Sequence, residues 1–120
     1  MADLVWVQWY ATIFRSSSFA ESVAEVAPIA LRYGATQYQV HVNDDDRYKI
    51  TQMTWVPNHA VWYSFWEGPE MIEFRARYSG KYQVPIVYAW ADEIASGSRA
   101  EGVENGTAEP AESPVSSPAA

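Results

Sequence analysis

Two histidines, three adjacent aspartates and three adjacent serines are the residues of this sequence most often found in catalytic or metal sites. The aspartates at 44–46 lack the alternating ligands and final glutamate of a calcium loop, so they indicate a solvated turn. The serines at 16–18 have no matching histidine and aspartate to activate a hydroxyl. His59 lies at a predicted helix start, where the helix dipole disfavours its charged form, and is interpreted as a surface residue.

His41 belongs to a row of polar side chains at a spacing of two residues. Gln37 and Gln39 precede it, so the three share one face of a predicted strand. Two interpretations remain open: the row lines a cavity together with Gln8 and Gln52, or it forms an exposed or interface face.

Aromatic residues are the other conspicuous candidates. They make up 15% of the chain, including six tryptophans, several of which lie within residues 48–71. A mostly apolar cleft with a few polar groups is typical of small-molecule sites. The predicted liners of such a cleft, between the sheet and the second helix, are Gln8, Tyr10, Trp55, Trp62, Trp66 and Tyr88. Alternatively, the aromatic residues fill a small core.

Apolar periodicity predicts four strands and two helices in the order βαββαβ. The predicted strands cover 4–14, 36–43, 47–56 and 83–91, and the helices run from 18 to 34 and from 58 to 79. This order predicts an α+β, ferredoxin-like fold, a four-stranded antiparallel sheet with its helices on one face. Pro85 within the last strand indicates an edge or bulge position.

Capping residues and prolines mark the predicted helix boundaries. Ser18, followed by Glu21 three residues later, predicts a capping box at the first helix, and Pro28 predicts a bend within it. Asn58 is the predicted cap of the second helix, which should break at Gly68-Pro69.

Charge and composition exclude several classes of partner. The chain of 120 residues has a net charge of −7 and no cysteine. An acidic protein is unsuited to nucleic acid or to an anionic membrane surface. No segment approaches the length of a membrane span, and the N-terminus does not resemble a signal peptide, so we expect a cytoplasmic protein. Residues 1–96 form the predicted domain, and the acidic segment 97–120, rich in Pro, Ser and Ala, is predicted to be a disordered tail.

The first strand carries large apolar residues on both faces. Val5, Val7 and Trp9 lie on one face, whereas Trp6 and Tyr10 lie on the other. A monomer with helices on one side would expose the second face, and an exposed apolar face usually meets another chain. We therefore expect a homodimer, or a higher oligomer, packed sheet against sheet.

The segment 47–74 resembles the antibiotic biosynthesis monooxygenase superfamily of dimeric α/β barrels. The shared features are a hairpin strand ending in Trp55, the cap Asn58, an aromatic helix, the Gly68-Pro69 break and a further short helix. The βαββαβ order extends the resemblance over residues 3–93.

The resemblance implies particular site residues. Cofactor-independent members hold a polyphenolic substrate with an Asn and a Trp; these positions fall near Gln8 and at Phe65 or Trp66, of which Phe65 aligns better. Haem-degrading members ligate iron with a His, whose position falls near Phe74. The resemblance therefore predicts no haem, and neither a cofactor nor a metal is expected.

Two functions are compatible with these observations, and whether the protein is an enzyme stays open. One is a weak or non-catalytic binder of an aromatic small molecule in an apolar cleft. The alternative is a non-catalytic structural or assembly subunit of a larger complex or particle, which uses the barrel for oligomerisation.

Overall fold

A four-stranded antiparallel sheet carries the helices on one side, as predicted for an α+β, ferredoxin-like fold. The computed structural model describes residues 3–99, and the strands lie in the order β2-β3-β1-β4. The elements in chain order are β1 Asp3–Tyr10, α1 Ser16–Val26, α2 Ile29–Arg32, β2 Gln37–Val42, β3 Lys49–Val56, α3 His59–Trp66, α4 Pro69–Arg77 and β4 Val87–Ala91.

The two central strands alternate between the helix side and the open side of the sheet. In β1, Val5, Val7 and Trp9 are buried beneath the helices, whereas Trp6 and Tyr10 are exposed on the other side. β3 pairs with β1 over its whole length and alternates in the same way. The spacing of two residues that predicted the strands therefore also separates core from open face.

Trp9 lies at the centre of the core. Its ring is 1% exposed and lies within 6 Å, centre to centre, of the rings of Phe19, Trp66, Phe74 and Tyr82. These four residues come from α1, α3, α4 and the segment before β4. One side chain of the central strand thus contacts three of the four helices.

The predicted capping box of the first helix is wrong. α1 begins at Ser16 with Arg15 in the N-cap position, and no side chain caps it. The Ser18 hydroxyl instead donates to the carbonyl of Arg15 at 3.4 Å, because Ser18 already lies inside the first turn.

Three other element boundaries differ from the prediction. The first helix does not merely bend at Pro28 but divides into α1 and α2. β4 begins at Val87 rather than at residue 83, after the cis bond between Val84 and Pro85. β1 ends at Tyr10, four residues earlier than predicted.

The break between α3 and α4 lies where the sequence predicts it. Asn58 caps α3 by accepting from the backbone N–H of Val61 at 3.1 Å. Gly68 is the N-cap of α4 and Pro69 its first residue, where a proline N–H is not needed. After this break, the first turn of α4 lies beside Tyr33 at the end of α2.

A hydrogen bond from Tyr33 to Glu70 joins α2 to the first turn of α4. It lowers the pKa of the Glu70 carboxyl and raises the pKa of the Tyr33 phenol. The Tyr33 ring crosses Gly68 so closely that a Cβ there would lie 2.8 Å from the phenolic oxygen and 2.7 Å from the Ser64 carbonyl oxygen. Gly68 is therefore required for close approach.

Residues 97–99 have no regular secondary structure, and the rest of the segment predicted to be a disordered tail lies outside the described residues. Within residues 3–99, no helix combines the length and the apolar character that crossing a membrane requires.

Replacing Gly68 by Ala is expected to lower the free energy of unfolding by about 1–3 kcal/mol, as overpacking does. The measurement is chemical denaturation. The backbone at Gly68 has φ −78°, which alanine adopts readily, so the loss would be steric. Gly80→Ala is the comparison, because it introduces backbone strain (φ 90°) with no atom within 4 Å of the new Cβ. Unchanged stability of Gly68→Ala would contradict the close approach of Tyr33.

Candidate functional site

The six predicted liners divide between the two sides of the sheet. Strand register places Gln8, Tyr10 and Trp55 on the open face. Trp62, Trp66 and Tyr88 lie together on the helix side, because Tyr88 pairs with the inward-facing Val7. The structure therefore brings together two groups of three rather than a single group of six.

On the open face, the amide of Gln8 is already hydrogen-bonded within the sheet. Its nitrogen donates to the carbonyl of Ile50 at 3.1 Å, and its oxygen accepts from the Thr51 hydroxyl at 3.2 Å. Gln37, Gln39 and His41 share this face, and His41 contacts Gln39 at 2.9 Å. The polar row of β2 thus exists as predicted.

Gln52, however, is not part of that row. It is fully buried and faces the helices, whereas its neighbours in β3, Thr51 and Met53, face the open side. The expectation that Gln52 would join Gln8 in lining one cavity is wrong. A shift of one residue along a strand moves a side chain to the opposite face.

On the helix side, α3 packs against β4 through aromatic rings, and we call this contact the α3–β4 seam. Trp62 and Trp66 stack with ring centres 5.2 Å apart, and Tyr88 meets the two rings edge-on at 5.4 and 5.6 Å. Nearer the start of α3, His59 stacks on Trp90 at 3.8 Å. Trp62 is fully buried and Trp66 nearly so, whereas Tyr88 is half-buried, so solvent reaches the three-ring cluster at Tyr88.

Three buried polar atoms on the helix side of the sheet have no hydrogen-bond partner among the described residues. They are the amide nitrogen of Gln52, the hydroxyl oxygen of Thr54 and the indole nitrogen of Trp62. All three residues are fully buried. Because nearly all buried polar groups in folded proteins are paired, three exceptions on the same side of the sheet are groups that a further polar partner could satisfy.

The orientation of the Gln52 amide follows from its other contact. The indole nitrogen of Trp9, which can only donate, lies 2.9 Å from the Gln52 amide oxygen. The amide nitrogen therefore points away from Trp9 with two free N–H groups. Gln52 consequently offers hydrogen-bond donors.

The sheet register shows how these groups are arranged. Gln52 pairs with Val7, and Val7 pairs with Tyr88. In the next inward row, Thr54 pairs with Val5. Two valines of β1 therefore separate the polar positions of β3 from the aromatic positions of β4, while Trp62 comes from the helix above. Polar groups of β3 therefore lie on one side of the β1 valines, and an aromatic wall lies on the other, formed by Trp62, Trp66 and Tyr88.

Arg75 of α4 adds a cationic group to the aromatic wall. Its guanidinium carbon lies 4.4 Å from the ring centre of Trp66. One of its terminal nitrogens is buried and has no hydrogen-bond partner among residues 3–99.

Burial raises the pKa of the nearby Tyr82 phenol, whose hydroxyl donates to the Arg75 carbonyl at 2.9 Å.

The residues do not fit a haem ligated at the position that the family resemblance indicates. Phe74 is 6% exposed and packs in the core against Trp9 and Phe19. A phenyl ring cannot ligate iron. Within the described part of the chain, no group of three or more His, Cys, Asp or Glu residues is placed to hold a metal ion.

A groove of about 210 Å³ lies on the outer side of the helices, between α1 and α4. Val26 and Phe74 contribute to its floor, and Glu25, Glu70 and Glu73 stand around it. None of the six predicted liners borders this groove. Because an open groove with acidic residues is not by itself a ligand site, the candidate site is the α3–β4 seam.

Comparison with known proteins identifies the architecture. No family model matches the sequence, and no curated protein matches it either. Solved structures match well: an antibiotic biosynthesis monooxygenase superimposes with a TM-score of 0.67 at 10% identity, covering 78% of this chain and 99% of the other. The chain has the fold of the antibiotic biosynthesis monooxygenases.

Two further structures support this conclusion. A variant of SnoaB, a cofactor-independent oxygenase from Streptomyces nogalater, matches with a TM-score of 0.65 at 9% identity over 78% of this chain and 95% of its own. The protein PA3566 from Pseudomonas aeruginosa gives 0.69 at 10% identity over 78% and 95%. The resemblance predicted from residues 47–74 is thus confirmed at the level of the fold.

Sequence reasoning did not single out Thr54 or Arg75, and it placed Gln52 on the wrong face. A signal for the β3 residues was present. Every second residue of this strand lies on the helix side, and two of these four residues are polar: Ile50, Gln52, Thr54 and Val56. Polar residues at inward positions of a central strand require partners. No comparable signal marks Arg75, because its role depends on the packing of α4 against Trp66.

Thr54→Val is expected to raise the free energy of unfolding by about 1 kcal/mol, because it replaces an unpaired buried hydroxyl by a methyl group of similar size. Denaturant titration measures the change. Thr51→Val, on the open face of the same strand, is the matched control and should lose stability because it removes the bond to Gln8. A loss of stability in Thr54→Val as large as in the control would mean that the Thr54 hydroxyl is paired.

Proposed function

We propose that this protein binds a planar aromatic small molecule at the α3–β4 seam, with the ligand's oxygen atoms accepting hydrogen bonds from the protein. The observation that carries the proposal is the set of three fully buried, unpaired polar atoms on Gln52, Thr54 and Trp62. Leaving such atoms unpaired costs about 1–3 kcal/mol each. A ligand that pairs with them recovers this free energy.

The chemical class of the ligand follows from the inventory of the site. An amide nitrogen and an indole nitrogen only donate, and a hydroxyl can do so as well. Complementary ligand atoms are therefore carbonyl, ether or phenolate oxygens. The stacked rings of Trp62 and Trp66 favour a flat ring system, because aromatic pairs prefer offset-stacked or edge-on contacts.

The resemblance in fold supports the same class. A structure with this fold is described as a cofactor-independent oxygenase. The proposal for this chain is limited to binding, since at 9% identity the likeness carries the fold and not the reaction. The open-face liners Gln8, Tyr10 and Trp55 have no part in this proposed site, because the sheet separates them from the seam.

The test uses chromone, a bicyclic aromatic compound with two oxygen acceptors, and naphthalene as its oxygen-free counterpart. Titration of ¹⁵N-labelled protein is expected to shift the Trp62 indole and Gln52 amide resonances with chromone more strongly than with naphthalene. Trp62→Phe identifies the indole signal and, by removing one donor, should weaken chromone binding about tenfold.

The indole resonances of Trp6 and Trp55 are internal controls, because both rings lie on the open face. Shifts confined to these two residues, or no shift at millimolar chromone, would refute binding at the seam.

The open face of the sheet supports a second candidate, a homodimer or higher oligomer that serves as an assembly module of a larger complex. Trp6 is 46% exposed, Tyr10 39% and Val87 61%. Leu4, Met53 and Trp55 extend this face across β1 and β3. An exposed apolar patch on a sheet usually packs against another chain. Two copies related by a two-fold axis would cover it and form a barrel.

Trp6→Lys tests the dimer, because it places a charge at the centre of this face. Wild-type protein at micromolar concentration is expected to sediment as a dimer or larger species, and the variant as a monomer. Ile72→Lys is the control, since Ile72 is 51% exposed but lies on α4. A monomeric wild-type protein would rule out assembly through the sheet.

A further inference from the structure

We infer that Arg75 makes the proposed site selective for aromatic ligands that carry a negatively charged oxygen, such as a ring carboxylate. This inference rests on the proposed binding at the α3–β4 seam and specifies the ligand further. It starts from the environment of the guanidinium group.

The first observation is that Arg75 is positioned but not neutralised. Its guanidinium lies over the Trp66 ring at 4.4 Å, a cation–π contact that fixes the group against the aromatic wall. Yet one terminal nitrogen is buried without a hydrogen-bond partner, and no carboxylate within residues 3–99 forms a salt bridge with Arg75. A buried N–H group without an acceptor is costly, so this nitrogen is available to a ligand oxygen.

The carboxylates on the same helix are engaged elsewhere. Glu73 accepts from Arg77 at 2.7 Å, and Glu70 accepts from Tyr33. Arg75 is thus the arginine of α4 whose charge the helix does not satisfy.

The position of Arg75 suits a ligand that also reaches the seam. The Trp66 ring contacts both groups: the guanidinium carbon is 4.4 Å from its centre, and the centre of the Trp62 ring is 5.2 Å from it. The guanidinium and the Trp62 ring are therefore no farther apart than the length of a bicyclic aromatic acid. A ring held by the indoles could place its carboxylate against Arg75.

The chemistry of the pair accounts for the selectivity. A guanidinium presents parallel N–H groups that match the two oxygens of a carboxylate, and such charge-assisted pairs are about twice as strong as neutral ones. A neutral amide of the same shape offers one acceptor oxygen and an NH₂ group that faces the cation unfavourably. The difference in binding affinity between these two ligands therefore measures the contribution of Arg75.

The test compares chromone-2-carboxylate with chromone-2-carboxamide by isothermal titration calorimetry. Wild-type protein is expected to bind the carboxylate at least tenfold more tightly. Arg75→Gln should remove this preference by weakening carboxylate binding at least tenfold while weakening carboxamide binding much less or not at all, and Arg75→Lys should restore part of it. Arg77→Gln, which changes an exposed arginine of the same helix, should leave both affinities as in the wild type.

The outcomes separate the two proposals. Equal affinities for the two ligands in the wild type, or an equal loss of both in Arg75→Gln, would overturn the role of Arg75 while binding at the seam stands. If neither ligand binds and the Trp62 indole signal does not respond, the proposed function fails and this inference fails with it.

Discussion

The contact between Trp9 and Gln52 is the interaction on which the rest of the structure depends. It joins the two central strands on the helix side, where an indole N–H of β1 meets an amide oxygen of β3 at 2.9 Å. The same indole ring contacts residues of α1, α3 and α4, so the helical layer is positioned around one side chain. Because the indole is a donor only, it also determines which end of the Gln52 amide remains free. The core and the candidate site therefore share one hydrogen bond.

The two faces of the sheet have different physical roles. The helix side buries aromatic rings together with unpaired donors, which is favourable only if something accepts from them. The open side exposes apolar area and has its amide groups satisfied within the sheet, as at Gln8. The first arrangement is suited to a ligand and the second to a protein surface. The two proposed activities are therefore compatible in one molecule.

Much of the fold could be predicted from the sequence because short-range signals determine it. The cap at Asn58 and the break at Gly68-Pro69 depend on local backbone chemistry, and both lie where predicted. The capping box predicted at Ser18 is absent because α1 begins two residues earlier, at Ser16, so Ser18 lies inside the first turn. The candidate site was predicted only in part. Trp62, Trp66 and Tyr88 do meet, but which residues join them depends on strand register and helix packing.

The strand order has a consequence for how the chain folds. β1 lies between β3 and β4, so its second edge stays unpaired until the last described strand has joined the sheet. During synthesis, the edge of a strand that carries Val5, Val7 and Trp9 is therefore exposed until residue 91 has left the ribosome. Unpaired edges of this kind invite pairing with other chains, so this interval is the period of greatest risk of misassembly. Because Tyr88 belongs to β4, the seam is also completed last. The pairing of β4 therefore completes the candidate site and covers the exposed edge of β1 in the same step.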